Sequence, residues 1–287
     1  MIDAAVRASI EEALGVRIAK LRPTSGGSIA EAFVATFVSG ATAFVKTHPT
    51  LPAIAMQREA EGLEWLASAR AVRIPKVLAV GRETTPFLVL ELVDVGRGGD
   101  ADEEAFGREL AALHRTGAPR FGHDVDNFLA ILPQENAASP SWASFYRDRR
   151  LAPLALLARA KGLIGASLSR RLDQVCDKLE ALVGPEEPPA RLHGDLWGGN
   201  RVVDRAGRSW LVDPAVYGGH REIDLAMMRL FGGFGARAFS AYADAFPLAP
   251  GAAERVLLNQ LYPILAHVVM FGAGYVSQLE TALARYR

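Results

Sequence analysis

Residues 191–213, RLHGDLWGGNRVVDRAGRSWLVD, hold two carboxylates and an amide at spacings that suit one reaction. Asp195 closes a His193-Gly194-Asp195 triplet, Asn200 follows five residues later, and Asp213 stands eighteen beyond Asp195. Taken singly, each could be a turn or capping residue, because Asp and Asn side chains readily bond nearby backbone. Taken in order, they supply what phosphoryl transfer needs. One carboxylate orients an acceptor hydroxyl and takes its proton; a second, with an amide oxygen, holds the magnesium that bridges the phosphates. On this reading Asp195 is the catalytic base, Asn200 and Asp213 are the Mg2+ ligands, and His193 fixes the loop.

Positioning that set requires a hairpin. Arg201-Val202-Val203, a turn over 204–207 and an apolar run over 209–212 predict one, and a hairpin brings its two ends together. Asn200 and Asp213 would then lie side by side, with Asp195 just before them. The spacing His-x-Asp-x-x-x-x-Asn matches the catalytic loop of protein kinases, with Asp213 where their metal-binding aspartate falls. Such an enzyme also needs a strand lysine on the phosphates and a helical glutamate to hold it. Lys46 ends the apolar strand Ala43-Phe44-Val45-Lys46. Glu59 lies thirteen residues on in a helix predicted over 53–67, with Glu61 as a competing partner. Gly26, Gly27 and Ser28 fall between the first two predicted strands, where backbone N–H groups could cover phosphates. The segment from Glu91 to Val93 falls where main-chain groups would read an adenine.

The remaining chain divides by texture. Strands are predicted over 16–21, 32–37, 41–46, 77–80 and 87–93, after an amphipathic helix marked by Ala5, Ile10 and Leu14. A glycine-rich linker spans 95–100. Beyond it come helices over 103–115, 141–160 and 168–183 and a helical block from 223, with short strands only at 192, 201–203 and 209–212. The expected fold class is α+β and bilobal, with a nucleotide-binding lobe at 1–93 and a catalytic and substrate-binding lobe at 94–287. The 287 residues carry 32 basic and 32 acidic side chains, 50% hydrophobic residues and one cysteine. Zero net charge and no basic-aromatic stripe disfavour nucleic acid. The run 147–150, Arg-Asp-Arg-Arg, reads as a solvated helix face. The apolar stretch 261–276 contains Pro263 and His267 and reads as a buried helix rather than a membrane span. A charged N-terminus and a lone Cys176 fit a cytoplasmic protein.

These residues resemble the fructosamine kinase (ketosamine-3-kinase) family, in the aminoglycoside-phosphotransferase-like branch of the protein-kinase-like fold. The resemblance is carried by HGDLWGGN at 193–200 and DPAVYGGHREIDLAM at 213–227. GGSIAEAF at 26–33, DNF at 126–128, PQEN at 133–136 and WASFYRDRRL at 142–151 extend it. It implies ATP-dependent phosphorylation, with Mg2+, of the 3-hydroxyl of a ketosamine, free or on a protein lysine, after which the adduct decomposes and frees the amine. Trp197 would then wall the sugar or simply pack in the core, and Tyr217 falls on the substrate side. Asp224 would fix the catalytic loop and His114 pack beneath it. Gly218 and His220 depart from the family pattern close to the presumed acceptor pocket. Only ten residues separate Asp213 from Asp224, which leaves no room for a regulatory activation loop. Two other readings compete: a kinase for an aminoglycoside- or choline-like acceptor, for which Asp124 and Asp126 supply few acids, and a non-catalytic nucleotide-binding module, for which Asp195, Asn200, Asp213 and Lys46 would have no reason to be present together.

Overall fold

The strand-forming segments of the first ninety residues assemble into one antiparallel sheet of order β1-β2-β3-β5-β4. In this computed structural model, which describes residues 2–24, 30–48, 51–81 and 86–286, chain order begins with helix α1 (Ala4–Leu14). Strands β1 (Ile18–Thr24), β2 (Glu31–Phe37) and β3 (Thr42–Thr47), helix α2 (Ala53–Ser68), and strands β4 (Val77–Val80) and β5 (Phe87–Glu91) come next. Successive side chains of a strand point to opposite faces. Phe33, Ala35 and Phe37 of β2 and Ala43 and Val45 of β3 therefore share a core with Ile10 of α1. Phe44 and Lys46 take the other face of β3, and Phe44 packs with Met56, Ala60 and Leu63 of α2. The pleat that buries Val45 thus aims Lys46 at α2. Gly26, Gly27 and Ser28 lie outside the described residues.

The glycine-rich segment after β5 is stitched to the hairpin further on. Val95 bridges Asp204, and the Gly96 N–H donates to the Val203 carbonyl at 2.8 Å. A Cβ on Gly96 would stand 2.6 Å from the Asp204 oxygen, so only glycine lets the two backbones approach this closely. Then come α3 (Asp100–Arg115), the hairpin β6 (Asn127–Leu129) and β7 (Leu132–Gln134), and α4 (Trp142–Phe145). A π-helical stretch, Tyr146–Leu151, leads into α5 (Ala152–Ala160), α6 (Ala166–Asp177) and α7 (Leu179–Leu182). β8 (Ala190–Leu192) pairs with β11 (Tyr217–Gly219), and β9 (Arg201–Val203) with β10 (Ser209–Leu211). Helices α8 (Glu222–Phe231), α9 (Ala236–Ala245), α10 (Ala252–Phe271) and α11 (Val276–Ala284) complete the chain.

Two expectations need correction. The helix expected over 141–160 is interrupted: the wider π turn at 146–151 inserts a residue and rotates the helical turns beyond it. The strands β6, β7 and β11 are absent from the sequence reading, because three-residue strands carry too little periodicity to recognise. The stretch Ala252–Ala284 is long and apolar enough to cross a membrane by length and composition alone. Its residues 258–266 are nonetheless buried in the protein, where Asn259 and Gln260 bond to Glu222 and the Ala226 carbonyl.

Helices α3 and α9 cross at Gly107, where a Cβ would fall 2.2 Å from the Ala238 carbonyl oxygen. Gly107→Ala is expected to force the helices apart and cost about 2 kcal/mol. That corresponds to a melting temperature lower by about 5 °C in calorimetry; an unchanged value would mean that the crossing tolerates the methyl.

Candidate active site

The catalytic loop begins where β8 ends, and a buried carboxylate shapes it. Asp224, in the first turn of α8, accepts the His193 N–H on Oδ2 (2.8 Å) and the Gly194 N–H on Oδ1 (2.9 Å). His114, at the end of α3, reaches the same Oδ2 with Nε2 at 3.1 Å, and its Nδ1 meets the Tyr242 hydroxyl at 2.8 Å. Burial alone would raise the Asp224 pKa, but these bonds hold it below the usual carboxylate range. Gly194 has φ +82, and a Cβ there would strike the Ala215 carbonyl. His193 is fully buried, and burial lowers its pKa. The neutral ring donates from Nε2 to the Val212 carbonyl (2.9 Å) and accepts the Asp195 N–H on Nδ1 (3.3 Å). Both imidazoles hold the loop in place.

The hairpin then does what its spacing predicts. Asp204 closes its turn, accepting from the N–H groups of Ala206 and Arg208, the Arg208 Nε and the Trp210 Nε1, which lower its pKa to about 2 against the effect of burial. At the open end, Asn200 Nδ2 donates to the Asp195 carbonyl (2.8 Å), Asp195 Oδ2 (3.1 Å) and the Asp213 carbonyl (3.4 Å). One amide thus ties all three residues together. Arg201 anchors the strand after it, paired with Asp102 and Glu103 of α3 and lying 4.7 Å over the Phe106 ring. Asp213 itself adopts φ +52, a left-handed conformation that costs a non-glycine residue energy and recurs at functional sites.

Across the cleft, Lys46 is shared by two acids. Its Nζ lies 2.8 and 2.9 Å from the two Glu59 oxygens and 3.0 Å from Asp213 Oδ1. Burial would depress the lysine pKa, yet the two carboxylates raise it. Glu61, the competing partner, is instead paired with Arg58 at the surface. Three carboxylates, Glu59, Asp195 and Asp213, face one ammonium. Burial and the neighbouring Asp213 charge push Asp195 up to about 7, and burial does the same to Glu59 against the pull of Lys46. Asp213 stays low: burial opposes this, but Lys46 prevails. A surplus of negative charge with hard oxygen donors fits a divalent cation. Asn200 makes its side-chain bonds through Nδ2, so none of them uses its amide oxygen, and Asn200 and Asp213 line the same cleft. Among the described residues no cluster of three or more His, Cys, Asp or Glu is arranged to hold a metal. Ala30, Leu51, Met56, Phe128 and Trp197 line the same cleft.

The fructosamine kinase family model matches residues 2–287. The "Probable ketoamine kinase" of Synechocystis is 37% identical over 271 residues, covering 93% of this chain and 90% of the relative. The chloroplastic protein-ribulosamine 3-kinase of Arabidopsis thaliana is 31% identical over 281 residues, covering 96% and 85%. The chain belongs to the fructosamine kinase family. A crystal structure from Thermobifida fusca, assigned as a fructosamine-3-kinase, superposes with a TM-score of 0.90 at 35% identity over 98% of both chains. An ADP-bound aminoglycoside phosphotransferase shares the fold at a TM-score of 0.64 and 16% identity, covering 99% and 98%. The expected α+β, protein-kinase-like fold and the expected family are therefore both found.

Within this member of the family the remaining site expectations separate. Trp197 is 38% exposed at the cleft, so it is not a core residue. Tyr217 is fully buried: its β11 strand lies in the core, and Arg150 lies 3.9 Å over its ring. It cannot touch substrate from there. Gly218 and His220 are likewise buried beside Arg120 and Trp142, away from the cleft, so their departure from the family pattern does not bear on the acceptor. Glu91 ends β5 with its N–H already given to the Lys76 carbonyl (2.9 Å), and Val93 is half-buried beyond it. The solvated-face reading of 147–150 fails at Arg150. The π turn carries Arg150 inward, where it bonds the Glu135 carbonyl (2.6 Å) and Asn136 Oδ1 (2.7 Å). Asn136 and Gln134 each donate to Asn127 Oδ1, at 3.0 and 2.7 Å, and Asn127 lines the cleft. Sequence reasoning assigns Arg150 and Asn127 no role; the fully polar, non-periodic spacing of Asn127, Gln134 and Asn136 is the available signal.

The Asp195 carboxyl binds its proton more tightly folded (about 7) than unfolded (near 3.8). Between those pH values the native state holds a proton that the unfolded state has lost, so stability falls as pH rises to about 7 and stays low above it. In the nucleotide- and metal-free protein, Asp195→Asn removes this penalty. The variant should melt on the order of 5 °C higher than the parent at pH 8, with a gap that closes towards pH 4.5. A gap independent of pH would show that Asp195 ionises normally.

Proposed function

We propose that this chain transfers the γ-phosphoryl group of ATP to a sugar hydroxyl, the 3-hydroxyl, of a ketosamine such as a fructosamine or ribulosamine. Family membership supports the ketosamine acceptor. The observation that carries the chemistry is Asn200 Nδ2 joining Asp195 and Asp213 opposite Lys46. Asp195 accepts the proton of the attacking hydroxyl as its oxygen bonds to the γ-phosphorus and the bond to the ADP oxygen breaks. Asn200 and Asp213 would hold Mg2+, which supplies charge neutralisation on the phosphates. Lys46, held by Glu59, binds the donor phosphates. The sequence of Gly26, Gly27 and Ser28 supports a role with the same phosphates, and the main chain around Glu91 and Val93 reads the adenine. Residues 1–93 form the nucleotide lobe and 94–287 the acceptor lobe. Trp197 offers its ring face to the sugar. We assign the enzyme to the cytoplasm, acting on ketosamines, free or on protein lysines, without nucleic acid or membrane. The phosphorylated adduct then decomposes and releases the amine.

ADP release measured over fructosyl-lysine, ribulosyl-lysine, kanamycin and choline tests this reading. Turnover is expected with the first two, and turnover confined to kanamycin or choline would sink it. With the preferred ketosamine, Asp195→Asn should lower kcat by about 10^2- to 10^4-fold, with ATP still bound. Asp213→Asn should lower kcat at least as far, and added Mg2+ should restore part of the loss. A variant of either residue with near-normal kcat would remove that residue from its role.

A further inference from the structure

Five rings run outward from the acceptor side of the cleft. Trp197 meets Phe231 edge-on with centroids 6.5 Å apart, Phe231 lies 4.5 Å from His267, and His267 lies 5.3 Å from Phe271 and 4.9 Å from Tyr275. Close backbone docking fixes the start of this run. The Gly198 N–H, next to Trp197, donates to the Gly232 carbonyl at 3.0 Å, and a Cβ on Gly198 would fall 2.7 Å from the Gly233 Cα. Phe231, which ends α8, is thereby held against the catalytic loop. Both ends of the run reach solvent: Trp197 is 38% exposed and Phe271 51%, while Phe231 and His267 between them are half-buried and Tyr275 packs in part against the core. A linked set of aromatic rings partly open to solvent beside a reaction centre marks a binding surface.

Resting on the ketosamine reading above, we propose that Phe231, His267, Phe271 and Tyr275 form the subsite for the amine substituent of the acceptor. The occupant is a cationic secondary amine carrying a hydrocarbon stem, such as a glycated lysine side chain. In a ketosamine the amine stands two carbons from the 3-hydroxyl carbon. With that hydroxyl at Asp195 and the sugar against Trp197, the substituent leaves along the only aromatic surface continuous with Trp197 among the described residues. Ring faces attract a cation, and their area covers methylene groups. His267 suits this role: burial lowers its pKa, and its Nδ1 lies 2.8 Å from the Pro263 carbonyl, so a neutral ring faces the ammonium rather than a second cation.

The test is a series of N-methyl, N-butyl and N-hexyl fructosamines, with ADP release as the readout. In the parent enzyme kcat/KM should rise about tenfold from methyl to hexyl, mainly through KM. In Phe271→Ala and Tyr275→Ala that ratio should shrink to about twofold or threefold, and Phe271→Tyr should restore it. A ratio near one in the parent, or an undiminished ratio in the alanine variants, would overturn the subsite while leaving the kinase assignment intact. So would a self-associating parent that Phe271→Ala renders monomeric with the stem dependence unchanged, because the rings would then be an interface between copies. Turnover of neither these three fructosamines nor the matching N-alkyl ribulosamines would overturn the ketosamine reading itself, and the subsite with it.

Discussion

The bidentate acceptance of two backbone N–H groups by the buried Asp224 carboxylate is the constraint on which the catalytic geometry depends. A carboxylate fully removed from water is expensive unless its oxygens are bonded. Here His114 and two loop amides satisfy them, and the same bonds pull residues 193 and 194 into a turn that only glycine can make at 194. Helix α3 contributes twice, with His114 at its last turn and with Asp102 and Glu103 gripping Arg201 at its first. The loop and the hairpin that must meet are thus both referenced to one rigid helix, so the distance between Asp195 and Asp213 does not depend on a flexible connection.

That rigidity serves a site the protein would otherwise resist forming. Glu59, Asp195 and Asp213 crowd around one lysine, two of them pushed up to about 7, and Asp213 is held in a left-handed backbone conformation. Perturbed carboxylates and backbone strain that coincide in a cleft are signs of function, because packing alone would select against both. The surrounding structure offsets them with well-satisfied polar groups: the Asn200 amide, the neutral His193 and the four-donor cap on Asp204.

Much of this is legible in the sequence where one residue type has few other uses. His193-Gly194-Asp195, Asn200 and Asp213 in order around a hairpin, and Lys46 at the end of an apolar strand, combine spacing with chemistry. The strand period itself decides that Lys46 faces α2 when Val45 faces α1. The illegible part depends on tertiary context. Arg150 lies in a run of charges that resembles a solvated helix face. Only the π turn, a local change of register, sends it inward beneath Phe145 and Tyr217. Tyr217 reads as a pocket residue only through the resemblance to the family. Its strand β11 pairs with β8 under the loop, which reverses that inference. The helix expected across 168–183 is broken at Lys178, a boundary of the kind that periodicity places poorly.

The burial of β11 also explains how selectivity must arise. Residues 214–221 are all buried, held by the β8 pairing and by Arg221, whose guanidinium bonds Glu187 and the carbonyls of Phe246 and Pro247. In a kinase fold this is the stretch from which an activation loop would emerge, ordering or disordering to control assembly of the site. Here no length is left over, and Asp213 leads directly into core. Without such a segment, discrimination among acceptors does not come from an activation loop. On the proposed acceptor reading it falls to the walls of the cleft: the hairpin bearing Asn127 and Phe128, clamped from behind by Arg150, and the open ring of Trp197. Variation among acceptors should then track those walls rather than Asp195, Asn200 and Asp213, whose setting is tied down through Asp224, His193 and the Asn200 amide.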